Sequence, residues 1–386
     1  MIPYGRQDIR QEDIDAVVEV LQSDFITQGP VVPRFEEAVA SKVGARYGVA
    51  VNSGTSALHV ACLALGLGPG NRLWTSPITF VASANCAIYC GAQVDFVDID
   101  PVTYNLSPEA LEKKLSDADE KSCLPDIVVP VHLCGQSCEM KRIHELSQSY
   151  GFKVIEDASH ALGGRYRDFP VGCCRYSDIT VFSFHPVKII TTAEGGMAVT
   201  NDAALAGKMQ LLRSHGITRD PELMTHAADG PWYYQQIDLG YNYRMTDIQA
   251  ALGISQLNRL DEYVTRRHEI AERYDRLLSD LLVTVPLQHP DAYSSWHLYV
   301  IRLQLGAITK SHREVFESMR ESDIGVNLHY IPVHTQPWYE RMGFKKGDYP
   351  EAEQYYAEAI SLPMYPTMTD EQQDQVVDAL RGAVVG

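Results

Sequence analysis

Lys188 closes an apolar run that begins at Val181, and the glycine pair Gly195 and Gly196 follows it closely. Burying an ammonium group costs solvation, so a lysine in such a setting lowers its pKa and becomes a nucleophilic amine. Amines of this kind form Schiff bases with carbonyl compounds, pyridoxal 5'-phosphate (PLP) among them. Asp157 ends a second apolar run, Val154 to Asp157, and lies 31 residues before Lys188. A carboxylate on the pyridine nitrogen is the usual partner of a PLP lysine. Lys188 and Asp157 are therefore the expected catalytic pair.

Other residues fall into place around that pair. Asn52 to Ala57 joins a strand to a helix, with Gly54 at the turn. A helix N-terminus offers free N–H groups and positive potential, which suits a phosphate. The same residues also read as an ordinary helix cap. Beside Lys188 and Asp157, phosphate binding by Thr55, Ser56 and Ser183 is the favoured reading. Phe80, after a strand, can stack on a planar ring or serve as core. His160 lies three residues past Asp157 and is expected to orient it. Glu156 should face the opposite side of the sheet, because strand side chains alternate. Asn242 and Arg244 precede a helix that Thr246 or Asp247 can cap, and both suit a phosphate or a carboxylate. His329, Tyr330 and His334 surround a proline turn, where packing or substrate contact outweighs metal binding.

These groups need a scaffold. Short apolar runs at 48–51, 72–75, 93–97, 126–131, 153–157, 178–183 and 197–200 read as strands. Helical spacing fills the gaps at 55–67, 107–115 and 139–150. Such alternation predicts an α/β fold with a mainly parallel sheet of about seven strands covered by helices. Ligands bind beyond the carboxyl ends of such strands, where Asp157 and Ser183 stand. One long helix is expected from Thr246 to about Arg273. Beyond it, strands at 296–303 and 326–331 and helices at 315–321 and 351–360 indicate a smaller α+β region. The division expected is a large α/β domain over 1–255 and a small C-terminal one over 256–386. The first 30 or so residues either join the small domain or cover the site.

Composition narrows the partners. The 386 residues are 45% hydrophobic and carry a net charge of −17, which argues against nucleic acid and anionic membranes. No apolar run is long enough to span a membrane and no signal peptide is evident, so a cytoplasmic location is expected. The eight cysteines mostly sit in apolar segments and read as small core residues. Cys134 and Cys138 lack a second cysteine pair, so no metal is expected.

With these motifs in hand, the chain resembles the DegT/StrS family of PLP-dependent sugar aminotransferases, a branch of the fold-type I superfamily. The resemblance runs from Ile2 to Pro363. It is carried most specifically by 52–56, 77–80, 156–160, 183–188 with 194–196, and 241–245. It implies that Lys188 holds PLP and moves the proton during transfer, while Asp157 keeps the pyridine nitrogen protonated. It implies that Phe80 stacks on the ring, that Thr55, Ser56 and Ser183 bind the phosphate, and that His160 belongs to the cofactor site. Asn242 would reach the cofactor phosphate of a neighbouring subunit, which implies a homodimer with shared active sites. His329, Tyr330, Tyr4 and Arg6, with Arg244, are the candidates for nucleotide-sugar contact.

Within the family, 213–219 and 329–334 resemble members that make a UDP-4-amino-4,6-dideoxy sugar, a pseudaminic acid precursor. That subgroup commonly has proline directly after the lysine, where this chain has Ile189. In some relatives histidine replaces the lysine and the enzyme is a dehydratase; Lys188 favours transfer. The activity implied is movement of the amino group of L-glutamate, through pyridoxamine phosphate, to the 4-keto carbon of a UDP-linked 6-deoxy-N-acetylhexosamine. The alternatives are a 3-keto or differently configured nucleotide sugar, or a PLP-binding regulator without turnover.

Overall fold

A computed structural model describes residues 1–385 of the chain. Among the described residues the main sheet has seven strands: β1 (Tyr47–Val51), β2 (Arg72–Thr75), β3 (Gln93–Phe96), β4 (Ile127–Val129), β5 (Lys153–Asp157), β6 (Ile179–Ser183) and β7 (Gly196–Thr200). Their spatial order is β1-β7-β6-β5-β4-β2-β3. All neighbours are parallel except β7, which runs antiparallel to both β1 and β6. All seven expected strands form, each within a few residues of its expected bounds.

The apolar side chains of these strands alternate between two covers, as the pleat requires. Val49, Val51, Ile155 and Val181 face helices α3 (Gly54–Ala64) and α4 (Ala82–Tyr89). On the other face, Ala50, Phe182, Met197 and Val199 pack with Phe35 and Val39 of helix α2 (Val31–Val43), which follows helix α1 (Gln11–Leu21) in the chain. Val128 and Val154 on that face meet Leu111 and Leu115, and Ile143 and Leu146, from the helices at Pro108–Glu120 and Met140–Tyr150. Each fully buried Phe or Leu here contributes about 1.5–3 kcal/mol relative to exposure. Glu156 does sit on the face away from Asp157, where it meets His132 Nε2 at 2.8 Å and accepts from Thr180 Oγ1 at 3.1 Å.

The long helix expected from Thr246 is two helices, Asp247–Leu257 and Leu260–Leu277, broken at Asn258 and Arg259. The apolar stripe hides the break, because Leu257 and Leu260 both pack on the same core. The break brings Arg259 Nη2 to Asp13 at 2.6 Å. Asp13 also accepts from Ser255 and Gln256, which pins the helix at Gln11–Leu21 onto Asp247–Leu257. Thr246 caps its own helix through Gln249 N, whereas Asp247 accepts from Gly29, Val31 and Val32 at the start of another.

The second helix of the pair joins two cores. Leu260, Tyr263 and Val264 belong to the core under the main sheet, and Ile270, Ala271 and Tyr274 to a separate one. That second core lies on an antiparallel sheet of Val283–Thr284, Tyr299–Leu303 and Ala359–Leu362, with helices at His312–Glu321 and Asp370–Val385. Residues 326–331 are not the strand expected from their composition. The short strand there is Ile324–Gly325, and Asn327 alone bridges to Ser361. The expected helix at 351–360 stops at Glu358, and the chain continues as the strand Ala359–Leu362. At the N-terminus, Ile2–Pro3 pairs in parallel with Ile324–Gly325, and the next residue, Tyr4, enters the cavity described below.

Candidate active site

A cavity of about 710 Å³ opens at the carboxyl ends of β5 and β6. Lys188 and Asp157 both line it, together with Thr55, Ser56, Phe80, His160, Ser183, His329, Tyr330 and Tyr4. These residues come from separate stretches of the chain, and the sheet order brings them together. Asp157 ends β5 and pairs in register with Val181 of the adjacent β6, and Lys188 follows five residues after β6 ends.

Removal from water pulls the pKa of Lys188 down to about 8, against the opposing pull of Asp157. Asp157 is buried and fully partnered by donors. Its Oδ2 accepts from Ser83 Oγ at 2.6 Å, and its Oδ1 from Ser159 N at 3.1 Å and Ser159 Oγ at 2.6 Å. The expectation that His160 orients Asp157 is therefore corrected: two serines do so. His160 instead accepts from Cys134 N at Nδ1 and meets Tyr330 Oη at Nε2. The chain turns after Asp157, which carries the His160 ring past the carboxylate toward Tyr330.

The turn into α3 fits a phosphate. Ser53 caps the helix, its Oγ accepting from Ser56 N at 3.1 Å and its carbonyl from Ala57 N at 3.0 Å. The N–H groups of Gly54 and Thr55 in the same first turn remain for an anion. A Cβ added to Gly54 would lie 2.9 Å from Ser183 Cβ, so glycine is what lets β6 approach this turn. Ser56 Oγ meets Asn52 Oδ1 at 2.7 Å, which leaves the Thr55 and Ser183 hydroxyls as the freer side-chain donors. The cavity thus holds an amine, a carboxylate and an anion cradle, the three fixtures that PLP requires. Phe80, 58% exposed, stands at the cavity wall with its ring 6.3 Å from that of Tyr330.

Three expected residues do not join this cavity. Arg6 is exposed and lies toward Tyr365, because the chain turns outward after Tyr4. Arg244 bridges to Val51 and its Nη1 donates to Ser214 Oγ at 3.3 Å. Asn242 is exposed and bridges to Ser214. Tyr4 does line the cavity, with its ring 5.3 Å from that of His329. His329 Nδ1 meets Ser361 Oγ at 2.8 Å, and burial beside Lys188 lowers its pKa to about 3.

Sequence reasoning missed Ser83, Ser159, His297 and Arg267. His297 is buried in the cavity wall, its ring 4.4 Å from that of His160 and its Nδ1 without a partner. The buried Arg267 donates through Nη1 to the carbonyls of Trp296, His297 and Met364, and so holds that wall in place. Only Ser159 had a local signal, since a serine two residues after an aspartate often hydrogen-bonds back to it.

An amine able to carry a carbonyl, facing a carboxylate able to keep a ring nitrogen charged, is the working pair of a PLP-dependent enzyme. The sheet that presents them has the fold-type I arrangement. Comparison with known proteins supplies the rest. The chain belongs to the DegT/DnrJ/EryC1/StrS aminotransferase family, whose sequence profile matches residues 7–381. It is 40% identical to the spore coat polysaccharide biosynthesis protein SpsC of Bacillus subtilis, over 100% of this chain and 97% of that one. It is 38% identical to a UDP-4-amino-4,6-dideoxy-N-acetyl-beta-L-altrosamine transaminase of Campylobacter jejuni, over 98% and 96% of the two chains. Among solved structures it resembles PseC of Helicobacter pylori, an aminotransferase involved in the biosynthesis of pseudoaminic acid. The TM-score is 0.90 and the identity 32%, over 100% of this chain and 99% of that one. A putative sugar aminotransferase of Streptococcus pneumoniae, solved with the pyridoxamine form of the cofactor, also matches at TM-score 0.90 and 28% identity, over 99% of both chains. The protein is a PLP-dependent sugar aminotransferase.

Proposed function

We propose that the enzyme moves the amino group of L-glutamate to the 4-keto carbon of a UDP-linked 6-deoxy-N-acetylhexosamine, giving a UDP-4-amino-4,6-dideoxy sugar for a pseudaminic-acid-like glycan. The similarity to the Campylobacter transaminase and to PseC favours this substrate class. The observation that carries it here is the cavity, whose volume of about 710 Å³ leaves room for a sugar beside the cofactor. Its outer wall, with Tyr4, Phe80, His185 and Tyr330, is polar and aromatic, which suits a hydroxylated ring.

When bound, PLP supplies a carbonyl that condenses with amines and a ring that takes up electrons. The chain's own groups do the rest. Lys188 Nζ, with a pKa near 8, would hold the cofactor and then carry a proton between the reacting carbon of the bound substrate and the cofactor. Asp157, aimed by Ser83 and Ser159, keeps the ring nitrogen charged. Gly54, Thr55 and Ser183 anchor the phosphate with Ser56 behind them, and Phe80 covers the ring. Tyr4 and His329 contact the sugar.

We further propose a homodimer in which Asn242 reaches the cofactor phosphate of the partner. Its exposure in the single chain fits that role, as does the exposed apolar surface of Trp232 and Leu239, each 73% accessible, a little earlier in the chain. The division into domains at about residue 255 is part of the same proposal, and so is a cytoplasmic setting. No helix among the described residues is long and apolar enough to cross a membrane.

The deciding experiment supplies glutamate and a panel of UDP- and dTDP-linked 4-keto and 3-keto sugars to the purified enzyme. Amine transfer to the UDP-linked 4-keto-6-deoxy-N-acetylhexosamine supports the reading. Transfer to 3-keto sugars alone overturns it.

A further inference from the structure

The hydrogen bond between His160 and Tyr330 has a direction that can be deduced. Cys134 N–H donates to His160 Nδ1 over 3.3 Å, so Nδ1 carries no hydrogen. Burial, with Lys188 and His329 nearby, pushes the pKa of His160 well below its ordinary value, so the ring is neutral. Its one hydrogen therefore sits on Nε2, which lies 3.0 Å from Tyr330 Oη. Tyr330 Oη is the acceptor in that bond. Its own hydrogen must go elsewhere.

The surroundings show where. Tyr330 lines the cavity shared by Lys188 and Asp157. Its ring lies 26° from parallel with His160 and is flanked by His329 and Phe80, so the hydroxyl cannot swing freely. The ionisable groups around it are His160, His329, Asp157, Tyr4, Cys134 and Tyr355. Burial first, then Cys134, Asp157 and Tyr4, holds the phenol above its usual pKa, so it keeps its hydrogen at working pH.

We propose that Tyr330 is a fixed hydrogen-bond donor to a ligand oxygen in the cavity, and that His160 is the positioning residue that sets the direction of that donation. The proposal rests on the PLP-enzyme reading of the same cavity. The acceptor is an oxygen that is anionic or becomes so. Two sources fit: the phenolic oxygen of the cofactor and the keto oxygen of the sugar. His160 contributes a fixed pattern of one acceptor and one donor, which a glutamine amide can reproduce without a choice of tautomer.

The test compares wild type with Tyr330→Phe, His160→Ala and His160→Gln, each loaded with PLP. The visible absorption band is titrated with pH in the absence of substrate, and each half-reaction is then timed. If the acceptor is the cofactor oxygen, Tyr330→Phe and His160→Ala move the band's midpoint by about 0.5–1 pH unit. If it is the sugar's keto oxygen, the band stays put and the keto-sugar half-reaction slows roughly 10–100-fold, with the glutamate half-reaction unchanged. In either case His160→Gln stays close to wild type. A Tyr330→Phe enzyme that matches wild type in both arms overturns the proposal. So does a His160→Gln enzyme as defective as His160→Ala. A wild-type enzyme that accepts no keto sugar refutes the substrate reading instead; this proposal then stands if Tyr330→Phe moves the band and falls if the band stays put.

Discussion

Ser83 Oγ donates to Asp157 Oδ2 over 2.6 Å, across the gap between helix α4 and the end of strand β5. Both groups are buried. The same serine hydroxyl lies 2.7 Å from Thr79 Oγ1, so Asp157 is aimed by a short chain of hydroxyls. Ser83→Ala should leave the fold intact and weaken PLP binding about tenfold, the effect of one buried hydrogen bond to a charged group. A fluorescence titration of the apoenzyme checks this. Unchanged affinity would mean that Ser159 alone orients the carboxylate.

Lys188 sets the pH dependence of cofactor loading. Only the neutral amine attacks a carbonyl, and the pKa of Lys188 is about 8. The rate of apoenzyme reconstitution with PLP should therefore rise about tenfold per pH unit below 8 and level off above it. Stopped-flow absorbance between pH 6 and about 10 measures this, and Lys188→Ala should remain colourless.

The same lysine costs stability. Burial holds its folded-state pKa below the ordinary lysine value of 10.5. Below about pH 8 the amine is charged in both states, so the full penalty of burial applies; between about 8 and 10.5 the folded state has shed the proton and the penalty fades. Lys188→Met apoprotein should be more stable than wild type by about 1–2 kcal/mol at pH 7, and the gap should close as pH rises through that window. Urea unfolding at several pH values is the check.

Gly54 is held to glycine by the approach of Ser183. Gly54→Ala places a Cβ 2.9 Å from Ser183 Cβ, and neither β6 nor the helix start can shift without opening the phosphate turn. We expect a loss of about 1–3 kcal/mol in stability, with PLP affinity falling more steeply than melting temperature. Calorimetry with and without the cofactor separates the two.

The proposed sharing of sites between subunits predicts complementation. Lys188→Ala and Asn242→Asp homodimers should each be nearly inactive. A random mixture of the two subunits should recover about a quarter of wild-type activity, because half the dimers are hybrids and each hybrid has one intact site. No recovery after verified subunit exchange would place Asn242 in its own chain's chemistry, or in none.

Legibility followed locality. Lys188, Asp157 and the turn at Gly54 could be read because each carries a signal within a few neighbours: an apolar run, a strand end, a glycine before a helix. The seven strands could be read for the same reason, since alternating burial leaves short apolar runs. Ser83 could not. It is one small residue among many in Ala82–Tyr89, and its role comes from where α4 rests on the sheet. His297 and Arg267 owe their places to contacts made across long stretches of chain. Asn242 and Arg244 show another limit: their side chains suit a phosphate, but the fold sets both beside Ser214 and outside this cavity. The break at Asn258 escaped because an apolar stripe continues smoothly through it.

The cavity wall draws on Tyr4, on the turn at Gly54, on the ends of β5 and β6, and on His297 and Tyr330. No fragment shorter than 4–330 contains it. An intermediate with only the main sheet formed would offer the amine, the carboxylate and the phosphate turn but not the wall at His297, His329 and Tyr330, so PLP, by mass action, favours the finished molecule most. Colour in a refolding mixture would then favour the completed molecules in its count.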